Sequence, residues 1–256
     1  MRTVEKALKL LNFFTEQQPE HGLSNLARLS GIDKATVLRM LGDMEATGLV
    51  EQDTRSRKWR LGAGILRLAR LREAAFPVTR VLTPILERLA TETGETAHAS
   101  LLSGRELGSV AAVESTRSNR VIMEAGHILP LHATASGVAF TAFANPEIRE
   151  RALAGDLPQV TPATPTTRET FEPLVREAMT KGYALSDQAF EAEVTGIAAP
   201  IFGPDGFACG AISVATPSSR MTADHVSSIL SALAPAARLA TLGLGGHIPS
   251  HHKIAA

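Results

Sequence analysis

The chain has one cysteine, Cys209, which rules out an internal disulfide framework and a thiolate metal cluster. It lies in an apolar run and reads as a buried structural thiol rather than a nucleophile. No run approaches the ~18 apolar residues of a membrane span, and Met1-Arg2-Thr3-Val4 leads straight into an amphipathic pattern without a signal-like segment. The expectation is a cytoplasmic protein with no membrane partner. Catalytic signatures are missing too: there is no Gly-x-Ser-x-Gly elbow, no phosphate-cradling glycine loop and no His-Glu-x-x-His, and His251-His252 has no partner ligands at metal spacing. No catalytic or metal-ligating residue is assigned and no enzyme activity is expected. Because triads are assembled in space, an enzyme stays open as an alternative on this ground alone.

Net charge is also lacking, with 26 Lys and Arg against 26 Asp and Glu, which by itself argues against nucleic acid. The total hides an asymmetry. Residues 1–80 hold 14 basic against 9 acidic side chains, a balance of +5, and residues 81–256 hold 12 against 17, a balance of −5. A small basic part supplies sequence-independent DNA affinity, while an acidic larger part stays off the duplex.

What the basic part contains is a helix-turn-helix pattern over Leu23–Leu41. Ser24 is placed to cap a short helix with Ala27 inward. Gly31 stands at the bend, and Asp33 caps a second helix, about 34–47, that buries Val37, Met40 and Leu41. Its polar positions Lys34, Thr36 and Arg39 then face outward, where a recognition helix meets base edges and phosphates. Two short strands follow, 47–52 and 58–61, joined by the polar turn Asp53-Thr54-Arg55-Ser56-Arg57. A hairpin in this place is a wing, and its basic tip, Arg55, Arg57 and Lys58, suits the phosphate backbone. The expected DNA-binding residues are Ser24, Lys34, Thr36, Arg39, Arg55, Arg57 and Lys58, and the partner is a double-stranded operator. A winged helix used for protein contacts is the other reading of the same residues.

The remaining order follows from periodicity and breakers. Residues 3–17 form the first helix, and His21 is a loop residue without a role. A linker helix spans about 62–71, and Pro77 precedes an amphipathic helix ending at Thr93-Gly94. Strands are expected at 95–102, 106–113 and 120–124. A small-residue helix at 136–144 follows, then helices at 147–153 and 168–181 around a Pro/Thr-rich loop. Strands at 183–186, 195–202 and 207–215, a helix at 222–242 and a flexible tail complete the chain. Hairpin-paired strands with helices segregated between them make an α+β fold. The domains read as 1–61 winged helix-turn-helix, 62–77 linker, 78–242 sheet domain and 243–256 tail.

At Leu129-Pro130-Leu131-His132-Ala133-Thr134-Ala135-Ser136-Gly137, at Gly196-Ile197-Ala198-Ala199-Pro200 and at Ala211-Ile212-Ser213-Val214 the chain resembles the IclR family of bacterial transcription regulators. The wing exit Trp59-Arg60-Leu61-Gly62 and the Glu-Thr-Gly-Glu-Thr element at 92–96 extend the resemblance to most of the chain. It implies a GAF-like effector-binding domain with an antiparallel sheet, no metal or other cofactor, and homodimers often paired into homotetramers. It also implies a small-molecule effector whose acid group is held by the backbone at Ala135 and Ser136, which suits the free N–H groups of a helix start. Other pocket positions fall on Ser186, Gly196, Ser213 and Ala215. Uncharged Ser186 and the very small Gly196 and Ala215 suggest a roomier, less polar pocket for an aromatic or acyl-type acid. Repression relieved by the effector is the expected direction. His132 is expected to bond backbone near the pocket mouth.

Overall fold

The computed structural model describes residues 3–253 except 16, 124, 125 and 251; Glu124 of the expected third strand and His251 of the tail pair lie outside the described residues. The chain forms two compact units, Met1–Pro77 and Val78–Ala256.

In the first unit, helix α1 (Thr3–Lys9) tightens into a 3-10 turn over Leu10–Phe13, so the first helix is shorter than its periodicity suggested. Helices α2 (Leu23–Ser30) and α3 (Lys34–Ala46) follow, joined at Gly31, whose φ of 66° is the left-handed conformation that a side chain resists. Asp33 caps α3 as expected, accepting from the Thr36 amide at 2.9 Å, and hydrogen bonding from the Thr36 side chain and amide holds its carboxyl below the usual carboxylate range. The core is Leu10, Leu26, Val37, Met40, Leu41, Met44, Val50 and Trp59. On α3 the buried positions recur at helical spacing, one stripe of an amphipathic helix.

Two local expectations need correction. Gly22, not Ser24, stands at the N-cap of α2, and Leu26 is fully buried beside Ala27, which packs against the core as expected. The reason lies at His21, which is no idle loop residue. Its backbone exchanges two hydrogen bonds with Trp59 (2.9 and 2.8 Å), adding a third rung beside the wing strands β1 (Val50–Gln52) and β2 (Trp59–Leu61). Its buried ring bonds the Phe13 carbonyl at 2.7 Å and Asn25 at 2.9 Å. That anchorage starts α2 earlier. Helix α4 (Ala63–Ala75) leaves the wing through amide bonds from Gly62 to the Leu49 carbonyl and Gly64 to the Gly48 carbonyl.

The second unit opens with α5 (Val78–Thr93), β3 (Thr96–Ser103), β4 (Glu106–Val113) and β5 (Ile128–Leu129). Helices α6 (Ala135–Phe143), α7 (Pro146–Leu153) and α8 (Arg168–Lys181) come next. Strands β6 (Ala184–Asp187), β7 (Val194–Phe202) and β8 (Ala208–Pro217) and helix α9 (Ala223–Gly243) complete it. The strands form one antiparallel sheet in the order β5-β4-β3-β8-β7-β6. Period-2 alternation divides its faces. Ala97, Ala99, Ile197, Ile201, Ile212 and Val214 meet α5 and α9, where Leu82, Leu86, Leu89, Ile229 and Leu233 are buried. Each buried leucine there contributes roughly 1.5–3 kcal/mol. The opposite face, with Ala198, lies under α6 and α8. Although α9 is long and apolar enough to cross a bilayer, Ile229, Leu230, Leu233 and several of its alanines pack in this core, while Leu239 and Leu242 are exposed.

The expected strand at 120–124 is not one. Val121 accepts a hydrogen bond from Thr96 Oγ1 at 2.6 Å, and no ladder forms over 120–123. The free edge of β4 is taken by β5, pairing Leu107 with Leu129 and Gly108 with Ile128. Alternation of buried Val121 and exposed Ile122 therefore marks a segment lying over the domain rather than a strand. The tail also differs from expectation over its described part. Gly246 bonds the Thr241 carbonyl, His247 bonds the Gly203 carbonyl, and the His252 ring sits edge-on to Phe143 and Phe202 at 4.7 and 4.8 Å.

Candidate functional site

Two surfaces carry the predicted residues, one in each unit. On the first unit, burial of Val37, Met40, Leu41 and Met44 turns the rest of α3 outward: Lys34, Ala35, Leu38, Arg39 and Gly42 are exposed, and Thr36 is half-buried. Ser24 is exposed on α2. In the wing turn, Asp53 Oδ1 accepts from the amides of Arg55 and Ser56 at 3.1 and 2.7 Å and from the Ser56 hydroxyl at 2.9 Å. These bonds lower the Asp53 pKa and shape the turn. Arg57 adopts a φ of 58°, uncommon for a residue with a side chain.

Among the described residues, the side chains of Lys34, Arg39, Arg55, Arg57 and Lys58 make no ion pair or hydrogen bond, whereas Arg60 is held by Glu51 at 2.7 Å. Five unengaged cations on a helix and a hairpin tip form an anion-seeking surface. Sequence reasoning, looking for polar residues, passed over Ala35, Leu38 and Gly42. Leu38, 49% exposed on the outer side of α3, offers an apolar contact of the kind made to a thymine methyl.

On the second unit, a cavity of about 50 Å³ lies where α6 meets the sheet, and all six predicted pocket residues line it: Ala135, Ser136, Ser186, Gly196, Ser213 and Ala215. Register explains the convergence. Ser186 pairs with Gly196 and Gly196 with Ala215 in one row, while Ser213 pairs with His98 one step along. Gly196 is small of necessity, since a Cβ there would stand 3.2 Å from that of Ala135. The cavity's other wall is the start of α6. Thr134 caps it, accepting from the Gly137 amide at 2.9 Å, and this leaves the N–H groups of Ala135 and Ser136 without an intrahelical acceptor. Gly137 lets the chain cross there: a Cβ would lie 2.5 Å from the Leu131 backbone.

The hydroxyls of Ser186 and Ser213 donate at 3.0 Å to the carbonyls of Ala133 and Ile197, so toward the cavity they offer lone pairs. His132 does not line it; its Nε2 is 3.0 Å from the Pro158 carbonyl. Sequence reasoning missed His98, Val121, Met123, Leu129, Phe190 and Val194. For His98 the signal was available, because alternation along β3 turns it away from the Ala97 and Ala99 face. The expectation of a roomier pocket is not met. An apolar cavity that takes benzene is about 150 Å³; here the Ala135 Cβ stands against the space that Gly196 leaves, and Met123 and Phe190 are among the other lining residues. Phe190 belongs to the loop between β6 and β7, which carries two side-chain-bearing residues at positive φ, Gln188 at 54° and Glu193 at 63°.

Residues 74–240 match the family described as bacterial transcriptional regulator IclR C-terminal, and residues 3–54 match the IclR helix-turn-helix domain. The chain belongs to the IclR family. An IclR transcriptional regulator from Silicibacter sp. TM1040 is 42% identical with a TM-score of 0.89, covering 98% of this chain and 100% of that one. An IclR homolog from Microbacterium hydrocarbonoxydans complexed with 4-hydroxybenzoate is 26% identical with a TM-score of 0.75, covering 95% and 99%. The transcriptional repressor IclR of Escherichia coli K12 is 28% identical over 249 residues, 96% of this chain and 91% of that protein. This IclR-type chain is thus a transcriptional regulator rather than an enzyme, with an N-terminal helix-turn-helix that binds DNA and a C-terminal domain that binds a small molecule.

Proposed function

We propose that this protein is a cytoplasmic repressor released from its operator by a carboxylic acid with an apolar, ring-bearing body. The observation that carries the effector class is the start of α6, where two residues with unengaged N–H groups line a mostly apolar cavity. The relative complexed with 4-hydroxybenzoate supports an aromatic acid. Because the cavity is small, such a ligand enters by displacing lining side chains such as Met123 and Phe190.

On the DNA side, Lys34, Thr36, Arg39 and Ser24 face base edges and nearby phosphates, and Arg55, Arg57 and Lys58 hold the backbone. Two copies meet a nearly palindromic operator. The second copy is argued from α4, on which no residue is buried and Leu66, Leu68 and Leu71 are all about half exposed. Pairing of dimers into tetramers follows the family pattern. Release is linkage: the acid binds the arrangement that does not fit DNA more tightly than the one that does.

The test is a mobility shift on DNA upstream of the protein's own gene, with a panel of aromatic and aliphatic carboxylic acids and a salt series. The expected result is a specific complex that weakens steeply with salt and is released by an aromatic acid. Binding that salt barely affects would favour a protein-contact role for the winged helix. Micromolar binding of glyoxylate with no response to aromatic acids would overturn the effector class.

A further inference from the structure

His98 lines the effector cavity, is buried, and has no assigned role. Its Nε2 stands 3.3 Å from Ser136 Oγ, on the residue whose backbone N–H helps form the anion site, while its Nδ1 is buried with no hydrogen-bond partner. A buried nitrogen left unbonded is costly unless something supplies a partner. We infer that His98 contacts the effector, hydrogen-bonding the acid group held at the start of α6, and that acid binding is coupled to proton uptake by this ring. The inference rests on the carboxylate reading of the cavity.

The environment sets the direction of the coupling. Burial, and then the nearby His127, push the His98 pKa down to about 4, so the empty site holds a neutral imidazole. On the neighbouring strands His98 faces Ala112 and Ser213, and α6 presents Ser136; none of these titrates. The remaining titratable group at the cavity is the Glu191 carboxylate, on an exposed residue of the β6–β7 loop. A ligand carboxylate beside the ring favours its charged form and raises its pKa in the complex. Affinity therefore increases as pH falls from the raised pKa of the complex toward that of the empty site, about 4, by up to about tenfold per pH unit.

The test is calorimetric titration of benzoate and 4-hydroxybenzoate into the full-length protein between about pH 8 and pH 5, in buffers of different ionisation enthalpy. The expected result is proton uptake on binding, with affinity rising toward the acid end. H98N keeps a hydrogen-bonding side chain and binds without proton uptake, H98L loses about tenfold or more in affinity, and E191Q retains the pH dependence. Binding without proton uptake in the wild type, or uptake that persists in H98N, overturns the proposal without touching the carboxylate reading. If no carboxylate binds at any pH, that reading fails and this one with it. The wild-type proton count needs no variant, so it decides even if H98L does not fold.

Discussion

The buried His98 also makes stability depend on pH in a way that can be calculated. Folded, its pKa is about 4, against an ordinary value of 6.5 for an exposed histidine. Between those values the unfolded chain binds a proton that the folded chain refuses, so stability is fully present above about pH 6.5 and is lost as pH falls toward 4. The whole gap corresponds to about 3 kcal/mol, and at pH 5 the loss is about 2 kcal/mol. For a protein of this size that is a fall of about 4–8 °C in Tm. Urea unfolding of the ligand-free protein, followed by circular dichroism at pH 7.5, 6 and 5, reads it directly. H98L lacks the titrating ring, so its stability should change less over the same interval, by about 2 kcal/mol. Equal pH slopes for wild type and H98L would refute the claim that this ring is held neutral by burial.

Glu95 is fully buried and bound by Arg220 through two hydrogen bonds, 2.8 and 2.5 Å, with Arg117 at 3.5 Å and His225 at 3.3 Å. Burial, the largest single influence, raises its pKa, but hydrogen bonding from Arg220, the nearby Thr216 hydroxyl and the charges of Arg220 and Arg117 together outweigh it. The pKa is lowered, so its contribution holds above the ordinary carboxylate value of 4.5 and disappears as acid protonates it. E95Q should cost about 2–3 kcal/mol at neutral pH, discounting for the partly exposed arginines, and a double-mutant cycle with R220A should show strong coupling. H252A removes a ring packed on Phe143 and Phe202 and should lower stability by about 1 kcal/mol; no change would mean that the tail does not dock in solution. R39A should weaken discrimination between DNA sequences, whereas R57A should weaken binding to all of them and reduce the salt slope by about 1. Equal loss of specificity from both would contradict the division between helix and wing.

Elements whose chemistry is local were legible in the sequence. The Gly31 bend, the Asp33 cap, the wing and the strands β7 and β8 each follow from residue type and spacing within a few positions. The six pocket residues were placed by family resemblance, and the sheet register shows why they meet. What escaped depends on partners distant in the chain. His21 resembles a loop residue until Trp59 pairs with it, and Val121 resembles a strand residue because the Thr96 hydroxyl that fixes it lies 25 positions away. Pocket size was misjudged for a related reason. Small residues at 196 and 215 indicate space, but whether space survives is decided by what packs opposite, here Ala135 at the start of α6 and lining residues such as Met123 and Phe190 from segments outside the sheet.

If an organic acid releases this regulator from DNA, the two ligands bind one protein with opposed preferences, and linkage requires the opposition to be reciprocal. The most direct measurement is the affinity of the releasing acid with and without saturating operator DNA, set beside operator affinity with and without saturating acid. Each ligand should weaken the other by the same factor, about 5- to 150-fold. An acid that binds equally well in the presence and absence of operator would contradict it.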